Sequence, residues 1–220
     1  MSKLRLLFVK EAQASYISHL DTMRTFQRVF PRAALHLKHS NGFHPHPIIS
    51  IVLPLSVCQS SDCELLDFET LEESDGAGVA EKLNPGLPAG LRAVACYPAV
   101  RPVRELAFLR AQLELIYDGG VPADAVPSLR ELFSRGSLII EKRTKHKELA
   151  QVDVAPLLRE ISFDARDGSV FVDAVVAAQN PGLNPAFLAQ LIERELPQYR
   201  PDFVRVRRRE LYDAKMEPFR

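Results

Sequence analysis

The sequence His44-Pro45-His46-Pro47, placed directly before an apolar run at residues 48–53, most constrains how this chain can fold. Each proline fixes its own φ and keeps the preceding histidine out of the helical region, so both imidazoles lie on stiff, extended backbone. Asn41-Gly42 is a turn signal, because both residues tolerate positive φ. The β-branched run that follows is typical of a buried strand. A rigid, polar loop that leads into a strand is suited to holding a ligand.

The order of predicted elements repeats once along the chain. Strands are predicted at residues 3–12, 48–55, 64–71 and 91–97, with helices after Ser18 and at 77–83. This β-α-β-β-α-β order is ferredoxin-like. After the proline-rich residues 98–102 the order starts again, with strands at 107–117, 138–143, 161–165, 169–177 and 203–211 and helices at 123–135 and after Asn184. Residues 145–159 predict a basic loop and a short helical turn. We therefore predict an α+β fold of two tandem ferredoxin-like (βαββαβ) halves, residues 1–100 and 101–220.

The first helix has a clear beginning and two distinct faces. Ser18 and Asp21 form a capping-box-like pair, and Pro31 predicts a kink or a break. Apolar residues at helical spacing predict a core face: Leu20, Met23, Phe26, Phe30 and Ala33. Arginines four residues apart predict a basic ridge on another face: Arg24, Arg28 and Arg32.

Bulk properties exclude several classes of protein. Lys plus Arg and Asp plus Glu number 28 each, so any nucleic-acid binding must come from local basic clusters. The N-terminus is too interrupted by charge for a signal peptide, and no run reaches the roughly 18 apolar residues of a membrane span. Three cysteines without close ligand spacing predict reduced thiols: Cys58, Cys63 and Cys96. We therefore expect a cytoplasmic protein.

The run Tyr16-Ile17-Ser18-His19-Leu20-Asp21, the arginine-bearing helix and residues 40–50 resemble an uncharacterised bacterial family, the radical SAM-linked proteins. Members occur alone or fused behind a cobalamin-binding radical-SAM protein, so the resemblance implies a radical-SAM partner. The family's genes lie near genes for ribosomal proteins and an RNA-processing nuclease, which implies work on RNA. The family usually has Asn where His44 stands and Gly where Cys58 stands. The chain has no cysteine triad for an iron–sulfur cluster, so we expect the partner to carry the cofactor and this chain to hold none.

The histidines allow a catalytic and a metal-binding interpretation. His19 occupies the first turn of a helix, where the positive end of the dipole favours anions. With His44 or His46 it could form an acid–base pair that cleaves RNA by 2′-hydroxyl attack; the competing interpretation is a packed, hydrogen-bonded His19. A metal site could combine histidines with a cysteine, yet the spacing matches no standard zinc motif and alternate residues of an extended segment point apart. We therefore predict no metal. The residues considered for it are His36, His39, His44, His46, Cys58 and Cys63.

Basic clusters favour nucleic-acid binding. The first is the ridge of Arg24, Arg28 and Arg32; the second contains Lys142, Arg143, Lys145 and Lys147; the third contains Arg205, Arg207, Arg208 and Arg209. Phosphate contacts come from such clusters, and the planar guanidinium suits them especially. The competing interpretation is solvated charge paired with neighbouring carboxylates. Four carboxylates predict the polar face of an edge strand and its turn: Asp67, Glu69, Glu72 and Glu73.

Three functional hypotheses follow. The leading one is an RNA-binding accessory protein that works with a radical-SAM partner in tRNA or rRNA modification or maturation. The tandem fold is also similar to that of the CRISPR repeat-processing endonucleases and the tRNA pseudouridine synthases, so the second hypothesis is a metal-independent endoribonuclease. The third is a protein–protein adaptor for the radical-SAM enzyme.

Overall fold

The fold is α+β, as predicted, and the computed structural model describes residues 2–143 and 149–220. The chain divides into two units. Unit 1 contains Met1–Glu105 and Pro218–Arg220, and unit 2 contains Leu106–Glu217. Among the described residues, no helix is long and apolar enough to cross a membrane.

Unit 1 has the ferredoxin-like order of elements. Its elements are β1 (Ser2–Lys10), α1 (His19–Arg32), β2 (Ile49–Ile51), β3 (Gln59–Thr70), α2 (Val79–Leu83) and β4 (Leu91–Pro98). β1 pairs antiparallel with β3 and β4, and β2 pairs antiparallel with β3. The strand order is therefore β4-β1-β3-β2, which confirms the ferredoxin-like prediction for this half of the chain.

Strand alternation separates a core face of the unit 1 sheet from a polar face. Leu4, Leu6 and Phe8 of β1 are fully buried on one face. There the Phe8 ring packs edge-on against Phe26 of α1, with 4.8 Å between the centroids. The next aromatic pair, Phe30 and Phe68, continues this core with centroids 4.7 Å apart. Because neighbouring side chains of a strand point to opposite faces, Lys3 and Arg5 are left on the other face.

The ends of α1 have local causes. The Ser18 hydroxyl accepts a hydrogen bond from the Asp21 backbone N–H at 3.1 Å, and it donates one to the Asp21 carboxylate at 2.7 Å. The Ser18 hydrogen bond, followed by that from Arg24, lowers the pKa of Asp21. Pro31 lies within the last turn, and the helix ends one residue later, before Ala34 adopts a φ of +54°.

Two expectations about the strands of unit 1 are wrong. The predicted buried strand at residues 48–55 is a three-residue strand, β2, whose residues are only partly buried or exposed. The strand that carries Asp67 and Glu69 is not an edge strand there, because Asp67 is paired with Arg5 of β1 on one side and Ser50 of β2 on the other. The acidic residues therefore lie on the inner part of a polar sheet face.

Unit 2 repeats the plan with one insertion. Its elements are β5 (Leu106–Ile116), α3 (Ala125–Phe133), β6 (Ile139–Arg143), β7 (Leu149–Asp153), β8 (Leu158–Arg166), β9 (Ser169–Ala177), α4 (Ala186–Glu195) and β10 (Phe203–Asp213). The sheet order is β10-β5-β9-β8, again ferredoxin-like, while β6 and β7 form a separate two-stranded sheet. Of the basic loop and short helical turn predicted at 145–159, residues 149–153 instead form β7, and the turn is the 3-10 helix Ala155–Leu157. Residues 145–148 lie outside the described residues.

The aromatic core predicts a large difference between two identical substitutions. Phe26→Ala removes a fully buried ring and should lower the free energy of unfolding by about 3–5 kcal/mol. Phe43→Ala removes a fully exposed ring and should change it by less than about 0.5 kcal/mol. Urea unfolding of both variants measures the difference, and equal losses would contradict this placement of the core.

Candidate functional site

The histidine–proline segment forms a loop, residues 40–47, that is closed at its base by one residue pair. We call it the proline loop. The Ser40 backbone N–H donates to the His46 carbonyl at 2.8 Å, and the His46 N–H donates to the Ser40 hydroxyl at 3.2 Å. The same hydroxyl lies 2.9 Å from His46 Nδ1. His46 is therefore held at the base of the loop through its backbone and its Nδ1.

The tip of the proline loop presents an aromatic ring to solvent. Phe43 is fully exposed, and His44 beside it is also exposed. Gly42 has a φ of +127°, a conformation that favours glycine and turns the chain toward this tip. An exposed ring on a stiffened loop can stack on a flat partner at little entropic cost.

The proline loop lies at the same end of unit 1 as the C-terminus of α1. The chain that leaves α1 runs along the last residues of β3, where Leu37 bridges to Thr70 and the Lys38 N–H donates to the Glu69 carbonyl at 2.8 Å. The Ile48 N–H then donates back to the Lys38 carbonyl at 2.8 Å. We call this end, with Arg28, Arg32 and the proline loop, the loop end.

The predicted arginine ridge is present on α1. Arg24, Arg28 and Arg32 are all exposed, and four residues of helix place each about 6 Å further along the axis than the last. Arg24 is paired with Asp21 at 3.0 Å. Arg28 and Arg32 have no ion pair with any described residue, so the loop end retains positive charge.

The structure does not bring His19 together with His46. The Lys10 ammonium donates to the Ile17 carbonyl at 2.9 Å, and Lys10 is paired with Ser61, so the start of α1 lies near the beginning of β3. The proline loop lies near Glu69 at the other end of that strand, roughly 25 Å away for eight extended residues. Neither proline-loop histidine can therefore share a proton-transfer geometry with His19. His19 Nδ1 is buried without a hydrogen-bond partner among the described residues.

A cleft of about 520 Å³ opens on the polar face of the unit 1 sheet. Four of its charged lining residues come from β1 and β3, and a fifth, Arg101, comes from the chain after β4; the four are Lys3, Arg5, Asp67 and Glu69. The other lining residues come from the proline loop, β2, β3 and the chain after β4: His46, Pro47, Ile48, Ile49, Ser50, Phe68, Ala99, Arg101, Pro102 and Val103. The cleft thus shares His46 with the proline loop.

A cross-strand row runs along one side of this cleft. Ser50 of β2 is paired with Asp67 of β3, Asp67 with Arg5 of β1, and Arg5 with Tyr97 of β4. Arg5 is 1% exposed, and its Nε and Nη2 donate to the two oxygens of Asp67 at 2.6 and 2.8 Å. The second bond of Nη2 goes to the Arg101 carbonyl at 3.1 Å. This two-point geometry holds the guanidinium plane in one orientation.

An aromatic ring covers the guanidinium. Phe219 is fully buried, and its ring centroid lies 4.8 Å from the guanidinium carbon of Arg5 and 5.1 Å from that of Arg101. Cation–π contacts of this kind are strongest where water is excluded. Pro218–Arg220 therefore completes unit 1 on its polar face.

Two buried donors in the cross-strand row have no partner among the described residues: Arg5 Nη1 and the Tyr97 hydroxyl. Burial raises the pKa of Tyr97 to about 12, because the phenolate would lose its hydration there. The neighbouring thiol of Cys96 has its pKa raised to about 12 for the same reason. Unsatisfied buried donors are rare in folded proteins, which marks this row as unusual.

The two carboxylates that line the cleft are already paired with basic side chains. Asp67 is held by Arg5, and Glu69 by the Lys38 ammonium at 2.8 Å, a hydrogen bond that lowers the pKa of Glu69. The Lys3 ammonium lies farther from Glu69, at 4.0 Å from Oε1, and the Lys3 side chain is 74% exposed. The ammonium of Lys3 is therefore the most accessible charge on the cleft lining.

The other predicted basic residues lie in unit 2. Lys142 and Arg143 belong to β6, and Lys145 and Lys147 lie outside the described residues. Arg205, Arg207, Arg208 and Arg209 all belong to β10. Arg205 is paired with Glu114 at 3.0 Å, while Arg208 is only 7% exposed. Of this third cluster, Arg205 and Arg209 have exposed side chains.

The described residues hold no group of three or more His, Cys, Asp and Glu side chains arranged for a metal ion. His36 and His39 follow α1 in the chain. His36 Nδ1 pairs with Glu72 at 2.8 Å, and His39 Nδ1 lies 3.0 Å from the Leu37 carbonyl. Cys58 has a φ of +66°, a conformation that glycine adopts without strain.

Comparison with solved structures supports the fold and goes no further. A structure of a Cbf5-Nop10-Gar1 complex contains a chain that is 11% identical over 93% of this protein, with a TM-score of 0.50. The match spans 47% of that chain, so this protein corresponds to about half of it. A structure of an unknown protein from Galdieria sulphuraria is 12% identical over 97% of this chain and 98% of its own, with a TM-score of 0.27.

Sequence comparison gives the family. No curated protein matches the sequence of this chain. The model of one family matches residues 3–185, which include nearly all of unit 1 and most of unit 2. The protein is thus a tandem ferredoxin-like α+β protein with a polar cleft in its first unit. It belongs to the family described as an uncharacterized protein conserved in bacteria (DUF2344).

The Arg5–Asp67 pair predicts a specific loss of stability. Asp67→Ala would leave the Arg5 charge buried without its counterion, so the free energy of unfolding should fall by about 3 kcal/mol. Glu73→Ala removes an exposed carboxylate a few residues away and serves as the control, with an expected change below about 0.5 kcal/mol. Urea unfolding at pH 7 compares them, and a neutral Asp67→Ala would contradict the role given to this pair.

The buried Tyr97 hydroxyl predicts that the free energy of unfolding depends on pH above pH 10. In the unfolded chain its hydroxyl ionises near 10, whereas in the fold it stays protonated to about 12, so stability should fall as pH rises from 10 toward 12. Tyr97→Phe should make that fall less steep and should not destabilise the protein at pH 8, because the hydroxyl has no partner there. Urea unfolding at pH 8 and 11 tests both points. An unchanged slope, or a variant that is less stable at pH 8, would contradict the prediction.

Proposed function

We propose that this protein is an RNA-binding accessory protein that works with a radical-SAM partner in the modification or maturation of tRNA or rRNA. The observation that carries the proposal is the loop end of unit 1. Arg28 and Arg32 are exposed there without carboxylate partners among the described residues, and the exposed Phe43 ring lies on a stiffened loop at the same end. Positive charge beside a stacking platform is the combination that binds single-stranded nucleic acid.

The two features have separate chemical roles. The arginines contact phosphates, which supplies affinity that depends on salt and is indifferent to sequence. Phe43 stacks on a base, which restricts binding to unpaired nucleotides such as those in loops. His44 and His46 lie on the same loop and provide hydrogen-bond donors and acceptors for base edges or the 2′-hydroxyl. The proposal gives them recognition roles and no catalytic role, because His19 lies far from both.

The radical-SAM partner rests on the resemblance of residues 16–21 and 40–50 to the radical SAM-linked proteins. This chain would bind the RNA, and the partner would supply the radical chemistry. A tagged protein should then retrieve a radical-SAM enzyme from its native cells together with structured RNA. Retrieval of the enzyme in high salt, without any RNA affinity of this chain, would instead indicate an adaptor.

The ridge predicts the salt dependence of RNA binding. The double variant Arg28→Ala/Arg32→Ala should reduce the slope of log affinity against log salt by about 1.4, at about 0.7 per lost phosphate contact with a single strand. The matched control is Arg92→Ala, which removes an exposed arginine from β4. Fluorescence anisotropy with a labelled stem-loop RNA measures the slopes. No salt-dependent binding by the wild-type protein, or equal slopes in both variants, would contradict the proposal.

The Phe43 ring predicts a loss of RNA affinity that does not depend on salt. Phe43→Ala should weaken binding to an unpaired RNA by about tenfold, the lower part of the range for one stacked base, while the salt slope stays unchanged. Phe203→Ala, which removes an exposed ring from β10, should leave affinity unchanged. A Phe43→Ala variant that binds as tightly as wild type would remove the stacking role.

A further inference from the structure

We infer that the cleft on the polar face of unit 1 takes one unpaired nucleotide, held by its phosphate and its base. This inference rests on the proposed RNA-binding function and names the part of the RNA that enters the protein. Its volume of about 520 Å³ is within the range of roughly 300–1,000 Å³ found for small-molecule pockets.

The donor inventory of the cleft points to an anion. Arg5 lines the cleft and is 1% exposed, yet only its Nε and Nη2 have acceptors, and Nη1 has none among the described residues. Leaving such a donor unsatisfied is costly, and more so for a charged group. An anionic oxygen from a ligand would satisfy it. Asp67 does not compete with a ligand for Nη1, because both of its oxygens already accept hydrogen bonds from Nε and Nη2.

The most accessible charged group of the cleft is positive, as Arg5 is. Glu69 is held by Lys38 at 2.8 Å, which leaves the more distant and more exposed Lys3 ammonium to attract a ligand. Lys3 lies two residues before Arg5 on the same face of β1. The exposed Ser50 hydroxyl lies on β2, on the far side of Asp67 from Arg5, where it can donate to another part of the ligand. An ammonium and a guanidinium on one strand suit a phosphate group.

Much of the remaining lining is apolar and suits a flat body. Ile49, Val103 and two prolines, Pro47 and Pro102, line the cleft without offering a charge. His46 brings one imidazole from the proline loop, fixed through its Nδ1 by Ser40. A base could pack against the apolar residues with its polar edge toward His46. His46 belongs to the proline loop and also lines the cleft. A nucleotide that follows one stacked on Phe43 would therefore lie close to the cleft.

Mononucleotides test the cleft apart from the loop end. The probes are uridine and adenosine 5′-monophosphates, with the matching nucleosides and inorganic phosphate as comparisons, followed by amide shifts in NMR spectra. We expect a 5′-monophosphate to shift the amides of Arg5, Ser50 and Asp67 and to bind at least tenfold more tightly than its nucleoside. Lys3→Ala should weaken binding about tenfold, and Ser50→Trp, which fills the cleft, should abolish it. Ser162→Trp, on an exposed position of β8, is the control.

The outcomes separate this inference from the proposed function. If wild-type protein binds RNA with the expected salt dependence but no mononucleotide shifts the cleft amides, the cleft assignment is wrong and the RNA proposal stands. If mononucleotides bind in the cleft and RNA does not bind, the cleft assignment stands and the RNA proposal fails. Binding that survives Ser50→Trp, or shifts confined to other residues, overturns the cleft assignment. Circular dichroism of each variant establishes that it is folded.

Discussion

The organisation of unit 1 depends on a buried arginine and the aspartate that holds it. A guanidinium that is 1% exposed would be strongly destabilising without a counterion, and Asp67 meets it with two hydrogen bonds from the neighbouring strand. Shifting β3 by one residue against β1 would send the Asp67 side chain to the opposite sheet face, so the pair disfavours every other register. The Phe219 ring then packs on the guanidinium. With the register fixed, Ser50 and the chain before it have a defined place beside Asp67.

The loop end follows from that arrangement. The chain leaving α1 and the chain leaving the proline loop both bond to the last residues of β3, so the arginines of α1 and the ring of Phe43 are presented at one end of the sheet. The stiff His-Pro segment means that little further ordering is needed when a nucleotide binds. Charge thus comes from a helix that packs on the core face of the sheet, and stacking comes from a loop whose base is bonded near the end of β3.

Much of the fold could be predicted from the sequence because its signals are local. Strand alternation and helical spacing, with Ser18 and Asp21 at the start of α1, gave both ferredoxin-like halves. The β6–β7 hairpin was missed because the charged residues around 145–159 have no clear period. The arginine ridge and the proline loop were found in the same local way. The cleft was not, since Arg5 and Asp67 are 62 residues apart and only strand register brings them together. An arginine between Leu4 and Leu6 was the available signal. The predicted acid–base pair of His19 with His44 or His46 is wrong for the opposite reason. These histidines are near one another in sequence, but the fold places them at opposite ends of β3.

Photochemical crosslinking in cells, followed by mass spectrometry of the RNA-bound peptides, tests the central claim most directly. The account predicts nucleotide adducts on the peptide that contains Phe43 and His44, with further adducts on the peptide that contains Arg28. Protein recovered without RNA, or adducts confined to peptides of unit 2, would contradict it.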